Sequence, residues 1–186
     1  NDGDQTITKI DSITARETAR YQVGPECGSP SRTAVNETGA VWVGCRSNNH
    51  IVLIAPDEGQ CIDRNGNGII DTSTVTYDES GNKTVNTLPW ADDECVLFNG
   101  IPEPAADAPQ DTKNNPISAS GCDIGVRGVA VRASGSLIFA GLSGCWAGHI
   151  YEATYTYDPQ AAYEAGVNPR VELTDHWHAQ SLSHTD

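Results

Sequence analysis

Two stretches of the chain read as copies of one another. "RTAVNETGAVWVGCRSNNHIVLI" runs from Arg32 to Ile54, and "GVAVRASGSLIFAGLSGCWAGHIYEA" runs from Gly128 to Ala153. Each is a short apolar strand, a glycine turn, a second apolar strand, a cysteine-bearing loop, then His-Ile and a third strand. Ala34-Val35 answers to Ala130-Val131, Gly39 to Gly135, and His50-Ile51 to His149-Ile150. The correspondence slips only in the loop, where extra residues cost little. A repeat of this kind dictates the fold more than any composition can.

Short β-branched and aromatic runs bounded by glycine or asparagine predict strands, and no sustained helical stripe competes with them. Only "PQAAYEAG", residues 159–166, has the look of one or two helical turns. Repeated short antiparallel strands point to an all-β, propeller-like array of four-stranded blades. "TITKID" (6–11) and "ETARYQVG" (17–24) read as the last two strands of an earlier unit. "RVELTDHW" (170–177) supplies the fourth strand of the final one. The expected plan is a half blade, a blade with a large insertion at residues 59–95, and a further blade, all in one domain over 1–186. Residues 101–118 carry four prolines and no strand period, and read as a Pro-rich surface connector. A ring needs at least four blades, so such a chain is expected not to close one alone. Methionine is missing throughout, even at position 1, which suggests an excised or mature piece of something longer. A complete small β-sandwich is the competing architecture.

The segments "SPSRTAV…GAVWVGCRSN…HIVLI" and "RGVAV…SLIFAG…GHIYE" resemble blades of the virginiamycin B lyase-like and NHL-type β-propellers over about two thirds of the chain. The resemblance implies the fold more than an activity. Those lyases act through histidine and a magnesium ion on a complete propeller's central face, a constellation that does not map onto residues here. A fragment of such an enzyme is the alternative to a binding or structural module. No nucleophile elbow, phosphate loop or H-E-x-x-H is present.

Six cysteines in 186 residues suggest an oxidising compartment, hence secretion, the cell surface or a periplasm. Zinc is the other use for cysteines, but no CxxC pair occurs. Fifteen connectivities are open in principle. Equivalent places in the two copies favour Cys27–Cys45 and Cys122–Cys145, which leaves Cys61–Cys95 across the insertion.

That insertion opens with "CIDRNGNGIID". Asp63, Asn65, Asn67 and Asp71 fill positions 1, 3, 5 and 9 of D-x-[DN]-x-[DN]-G-x-x-D, and the Ile69 carbonyl adds a seventh-position oxygen. Hard cations gather six to eight oxygens, alternate residues of a tight loop converge, and Gly68 permits the turn, so Ca²⁺ is the expected ligand. Position 12, a glutamate in the helical EF-hand, is Thr74; the nine-residue form resembles the strand-flanked calcium loops of integrin α-subunit propellers. An Asn-Gly turn that binds nothing is the alternative. In "WADDEC", Asp92, Asp93 and Glu94 are either a completing carboxylate or a solvated turn.

His50 and His149 fall at matching repeat positions, which favours architecture over chemistry. His176, His178 and His184 cluster near the end, and H-x-H on a strand is a metal-pair pattern set against a terminal, polar segment. Asn36 and Asn82 begin glycosylation sequons. The formal net charge of −14 repels nucleic-acid phosphates and anionic lipids, and no apolar run is long enough to span a membrane. Partners are therefore expected to be protein: further blades of the same chain, neighbouring copies in a homo-oligomer, or another protein, covering otherwise unpaired sheet edges.

Overall fold

The computed structural model describes residues 3–114, 117, 125–141, 149–156 and 170–178. The chain is all-β, built from antiparallel sheets. Strands Thr6–Ile10 (β1) and Glu17–Gln22 (β2) form a two-stranded hairpin. Pro30–Val35 (β3), Val41–Cys45 (β4), Ile51–Ile54 (β5) and Val96–Gly100 (β8) make a four-stranded sheet in the order β3-β4-β5-β8. Thr74–Tyr77 (β6) and Lys83–Asn86 (β7) form a hairpin inside the insertion. Val126–Val131 (β10), Leu137–Gly141 (β11), His149–Thr156 (β12) and Arg170–His178 (β13) form the second large sheet. Its far edge is extended by a parallel pairing with the two-residue strand Glu103–Pro104 (β9).

The two large sheets match residue for residue. Val35 pairs with Val41 and Val131 with Leu137; Val43 pairs with Val52 and Phe139 with Tyr151. Irregularities coincide as well. A bulge between Pro30 and Arg32 leaves Ser31 unpaired, and one between Val126 and Gly128 leaves Arg127 unpaired. A second bulge falls between Leu53 and Ile54 in one sheet and between Glu152 and Ala153 in the other. Bulges bend strands and are specific features of a fold, so two shared ones mark a duplicated module rather than similar strand propensity.

The sheets stack front to back. Strand alternation puts Thr33, Val43, Val52 and Asn99 in one row across the first sheet, and Asn99 Nδ2 donates to the Val23 carbonyl just after β2 at 2.8 Å. The opposite face carries Trp42 and Gly44. A methyl group on Gly44 would lie 2.6 Å from Val126 Cγ1, and Trp42 meets Tyr155 edge-on at 6.4 Å. With cover on both faces, β5 has no alternation to show, and all four residues of "IVLI" are buried. In the second sheet the equivalent row is Val129, Phe139, Tyr151 and His176, with Phe139 stacked on Tyr151 at 5.6 Å.

Gly125 sets the spacing between the sheets. A Cβ there would fall 2.1 Å from the carbonyl carbon and oxygen of Arg46, which are backbone atoms with nowhere to move. Gly125→Ala is expected to prise the sheets apart at a cost of about 1–3 kcal/mol, the usual range for overpacking. Gly3→Ala, with nothing within 4 Å, should leave a urea melt unchanged.

The connector after β8 is docked rather than free. Ala105, Ala108, Thr112 and Ile117 are buried, and the short helix Gln110–Asn114 (α1) lies against β13. Proline spacing hides this because the contacts are tertiary.

Candidate functional site

The insertion between β5 and β8 leaves and returns through a disulfide. Cys61 and Cys95 are bonded, as are Cys27 and Cys45. Cys122 and Cys145 lie outside the described residues. The two observed bonds are the pairs expected from the repeat.

Just inside the Cys61–Cys95 gate, the loop 63–71 curls around its own first residue. Asp63 Oδ1 accepts from the Gly66 and Asn67 amides at 2.7 and 3.1 Å, and Oδ2 accepts from Gly68 at 2.8 Å. Gly66 and Gly68 both take positive φ, 70° and 81°, which a residue with a Cβ resists. Asn65 and Asn67 converge on Asp71, each placing its carboxamide NH₂ on Asp71 Oδ2, at 2.9 and 3.1 Å. Their own side-chain oxygens accept from the Asn67 and Ile69 amides. The sequence pattern thus brings Asp63, Asn65, Asn67 and Asp71 into one ring. Ile69 contributes to it through its backbone, with a side chain 67% exposed.

This donor set fits a hard cation. Two carboxamides meet the Asp71 carboxylate, with their hydrogens on the side of Asp71 where a cation would instead draw their oxygens, while the Asp63 carboxylate binds the backbone amides of the same loop. Among the described residues, no group of three or more His, Cys, Asp or Glu side chains is placed to hold a metal. The ring's oxygens come half from asparagine, a residue type outside that set.

"WADDEC" proves to be the floor of the loop. Glu94 is 2% exposed, and its carboxylate accepts from the amides of Arg64 (2.7 Å), Asn65 (3.2 Å) and Asp71 (2.9 Å). Its backbone adds two more ties, to the Asp71 carbonyl and from the Ile62 amide. Asp93 is fully buried and accepts from the Thr72 hydroxyl and the Ser73 and Cys95 amides. Neither residue is a solvated turn, and both carboxylates are spent on N–H and O–H groups. Asp92 is the exposed one, beside a cleft of about 400 Å³ lined also by Arg64, Asn65, Asp71, Leu88, Ala91 and Glu94.

Arg64, the second residue of the loop, turns its guanidinium away from the ring. It donates to the carbonyls of Trp90, Ala91, Asp93 and Val96. Burial pulls its pKa down, opposed by the charges of Asp93 and Glu94. The β6–β7 hairpin then reaches the first hairpin: Lys83 Nζ meets Glu17 at 2.9 Å, and Arg16 lies over the Tyr77 ring at 5.0 Å. Hydrogen bonding from Arg20, aided by Lys83, holds the Glu17 carboxyl below the ordinary glutamate range. That contribution to stability is present above the unfolded pKa and is lost as pH falls through the lowered folded value. Tyr21, beneath the insertion, is pushed up to about 12 by burial, with Asp93 and Glu58 adding to the shift.

The repeat histidines are paired by the architecture. His50 Nδ1 lies 3.5 Å from Asn99 Oδ1, and His149 Nδ1 lies 2.9 Å from His176 Nε2, with Asn99 and His176 at equivalent register positions. His184 lies outside the described residues, and His178 is described through its backbone. Asn36 shapes the β3–β4 turn, its Oδ1 accepting from Thr38 and Ala40, and Asn82 binds Asp78 in the β6–β7 turn.

What fold and site define is an all-β, disulfide-bonded chain with a duplicated sheet and an acidic, asparagine-rich loop. No protein-family model matches the sequence, and no curated protein matches it. No helix among the described residues is long and apolar enough to cross a membrane.

Proposed function

We propose that the protein is a secreted or cell-surface β-propeller-like module whose insertion is ordered by Ca²⁺, and that it serves binding or assembly rather than catalysis. The observation that carries this reading is the convergence of Asp63, Asn65, Asn67 and Asp71 above a floor built by Glu94. Asp63 and Asp71 would supply the charge, and Asn65, Asn67 and the Ile69 carbonyl neutral oxygens. The cation's role there would be to neutralise the two carboxylates of the loop and fix it; no bond is made or broken.

The propeller reading is supported by the stacking rule seen twice over. The first sheet turns its Val43 face to the first hairpin, and the second sheet turns its Phe139 face to the first sheet. Continuing that rule leaves the outer face of the second sheet for a further unit. Ile138, Ile150 and Trp177 are only half-buried there, where the first sheet buries Trp42 and Ile51. A protein partner, whether more blades of the same chain or another subunit, is the fitting cover for them. With charge −14, nucleic acid is a poor one.

Two neutral ligands imply modest affinity, near 10⁻⁴ to 10⁻³ M as in extracellular sites. Millimolar Ca²⁺ is then expected to add about 0.4–1.4 kcal/mol, a rise in Tm of about 1–5 °C. Chelation should reverse the rise, and Asp63→Ala should abolish it. A chelated and a calcium-loaded protein that melt together, or an Asp63→Ala variant that still responds, would overturn the assignment.

A further inference from the structure

The chain carries three Asn-Gly pairs, and the fold treats them in opposite ways. Asn99-Gly100 lies in β8, where its two residues pair across the ladder with Val52 and Ile51. Asn99 is 8% exposed, and its Nδ2 donates to the Val23 carbonyl. Asn65-Gly66 and Asn67-Gly68 are exposed, one after the other in the loop 63–71. In an Asn-Gly pair the next backbone nitrogen reaches the side-chain carbonyl carbon easily, because glycine has no Cβ in the way. At Gly68 an added Cβ would meet nothing within 4 Å, so the approach is open.

What sets the loop apart is where its carboxylates stand. Asp63 Oδ1 accepts from the Gly66 amide at 2.7 Å, and Oδ2 accepts from the Gly68 amide at 2.8 Å. Those are the two nitrogens that must lose a proton in order to attack, and both lie within reach of a general base. Asp71 Oδ2 accepts from Nδ2 of Asn65 and of Asn67, at 2.9 and 3.1 Å. Those are the two nitrogens that would leave. One carboxylate thus holds both nucleophiles, and another holds both leaving groups.

We propose that Asn65 and Asn67 are sites of self-catalysed deamidation, with Asp63 as general base and Asp71 as a positioning residue. As Asp63 takes the proton from the Gly66 or Gly68 amide, that nitrogen bonds to Cγ of Asn65 or Asn67. The Cγ–Nδ2 bond breaks, and the proton departs with the amine as ammonia. Water then opens the cyclic imide at either carbonyl, giving aspartate or its β-linked isomer. The sum is asparagine plus water going to a carboxylic acid plus ammonia, so water is the only co-reactant. Each event replaces an N–H donor to Asp71 with a second carboxylate, and attraction becomes like-charge repulsion. A loop closed by its own hydrogen bonds becomes one that needs a cation to stay closed. That consequence rests on the calcium reading above; the reaction does not.

The test incubates the full chain at neutral pH in ¹⁸O-labelled water and follows each Asn-Gly peptide by mass spectrometry. One sample is folded, and the other is unfolded in urea with its disulfides reduced. Asn65 and Asn67 should take up label about tenfold faster or more when folded, and Asn99 about tenfold slower or more. Asp63→Asn should slow both loop sites about 100-fold, the lower end of what a positioned base contributes, and Asp63→Glu should restore part of that loss. Label that enters Asn65 and Asn67 no faster in the folded protein, or as fast after Asp63→Asn, would overturn the proposal. The mass readout needs no calcium, so a loop that deamidates yet ignores calcium contradicts the calcium reading alone.

Discussion

Glu94→Ala is expected to lose about 3–5 kcal/mol, the combined cost of leaving three backbone amides without their acceptor. The side chain is 2% exposed, and its two oxygens serve three backbone amides, those of Arg64, Asn65 and Asp71. These amides point inward from both ends of the loop, so no other acceptor takes over when the carboxylate goes. Each buried N–H left unpaired costs about 1–3 kcal/mol, reduced where water enters the cleft. Arg64 would also lose a nearby negative charge while remaining fixed on its carbonyls. Glu94→Gln should fall between, since an amide offers one accepting oxygen where the carboxylate offers two. Urea denaturation of the three proteins, with Asp92→Ala as the exposed neighbour, gives the ranking. If Glu94→Ala unfolds at the same urea concentration as Asp92→Ala, Glu94 is not the floor of the loop.

Replacing Cys61 and Cys95 together by alanine is the other large effect. The bond closes a separation of 34 residues, against 18 for Cys27–Cys45. The chain-entropy relation gives about 4 kcal/mol for the longer loop and about 3 kcal/mol for the shorter. Function should suffer unequally. Cys61 is followed by Ile62 and Cys95 is preceded by Glu94, two residues joined by a backbone hydrogen bond beneath the loop 63–71. The Cys61/Cys95 double variant is therefore expected to lose its calcium response, and the Cys27/Cys45 variant to keep it. Melts with and without calcium decide this, and equal calcium responses in the two variants would contradict it.

Much of the fold was readable before any coordinates. Val41–Cys45 and Leu137–Gly141 declare themselves as strands by residue type and by the glycine turns before them. The repeat then carries register: once Val35 is set against Val41, Val131 against Leu137 follows. The loop 63–71 is legible in the sequence because its hydrogen bonds are local, every member lying within nine residues. Long-range features were not. Val96–Gly100 returns to β5 only after the insertion, and nothing in "VLFNG" says which strand it will join. Glu103–Pro104 pairs in parallel with β13 over two residues, too short for any pattern. Asp93 and Glu94 looked like part of a charge run. Their burial depends on amides supplied by residues twenty or more positions away in the chain, and composition cannot register that. The partner of His149 was hidden for the same reason, since it arrives from the next strand.

The most direct measurement is a methyl-resolved NOE experiment on ¹³C-labelled protein, asking whether Val126 and Val129 methyl protons lie beside the Gly44 α-protons. Sheets that are duplicates stacked front to back place those atoms in van der Waals contact, and strong cross-peaks are the expected result. Intact strand-to-strand NOEs within each sheet, with none linking Gly44 to either valine, would show two modules that fold alike without packing together.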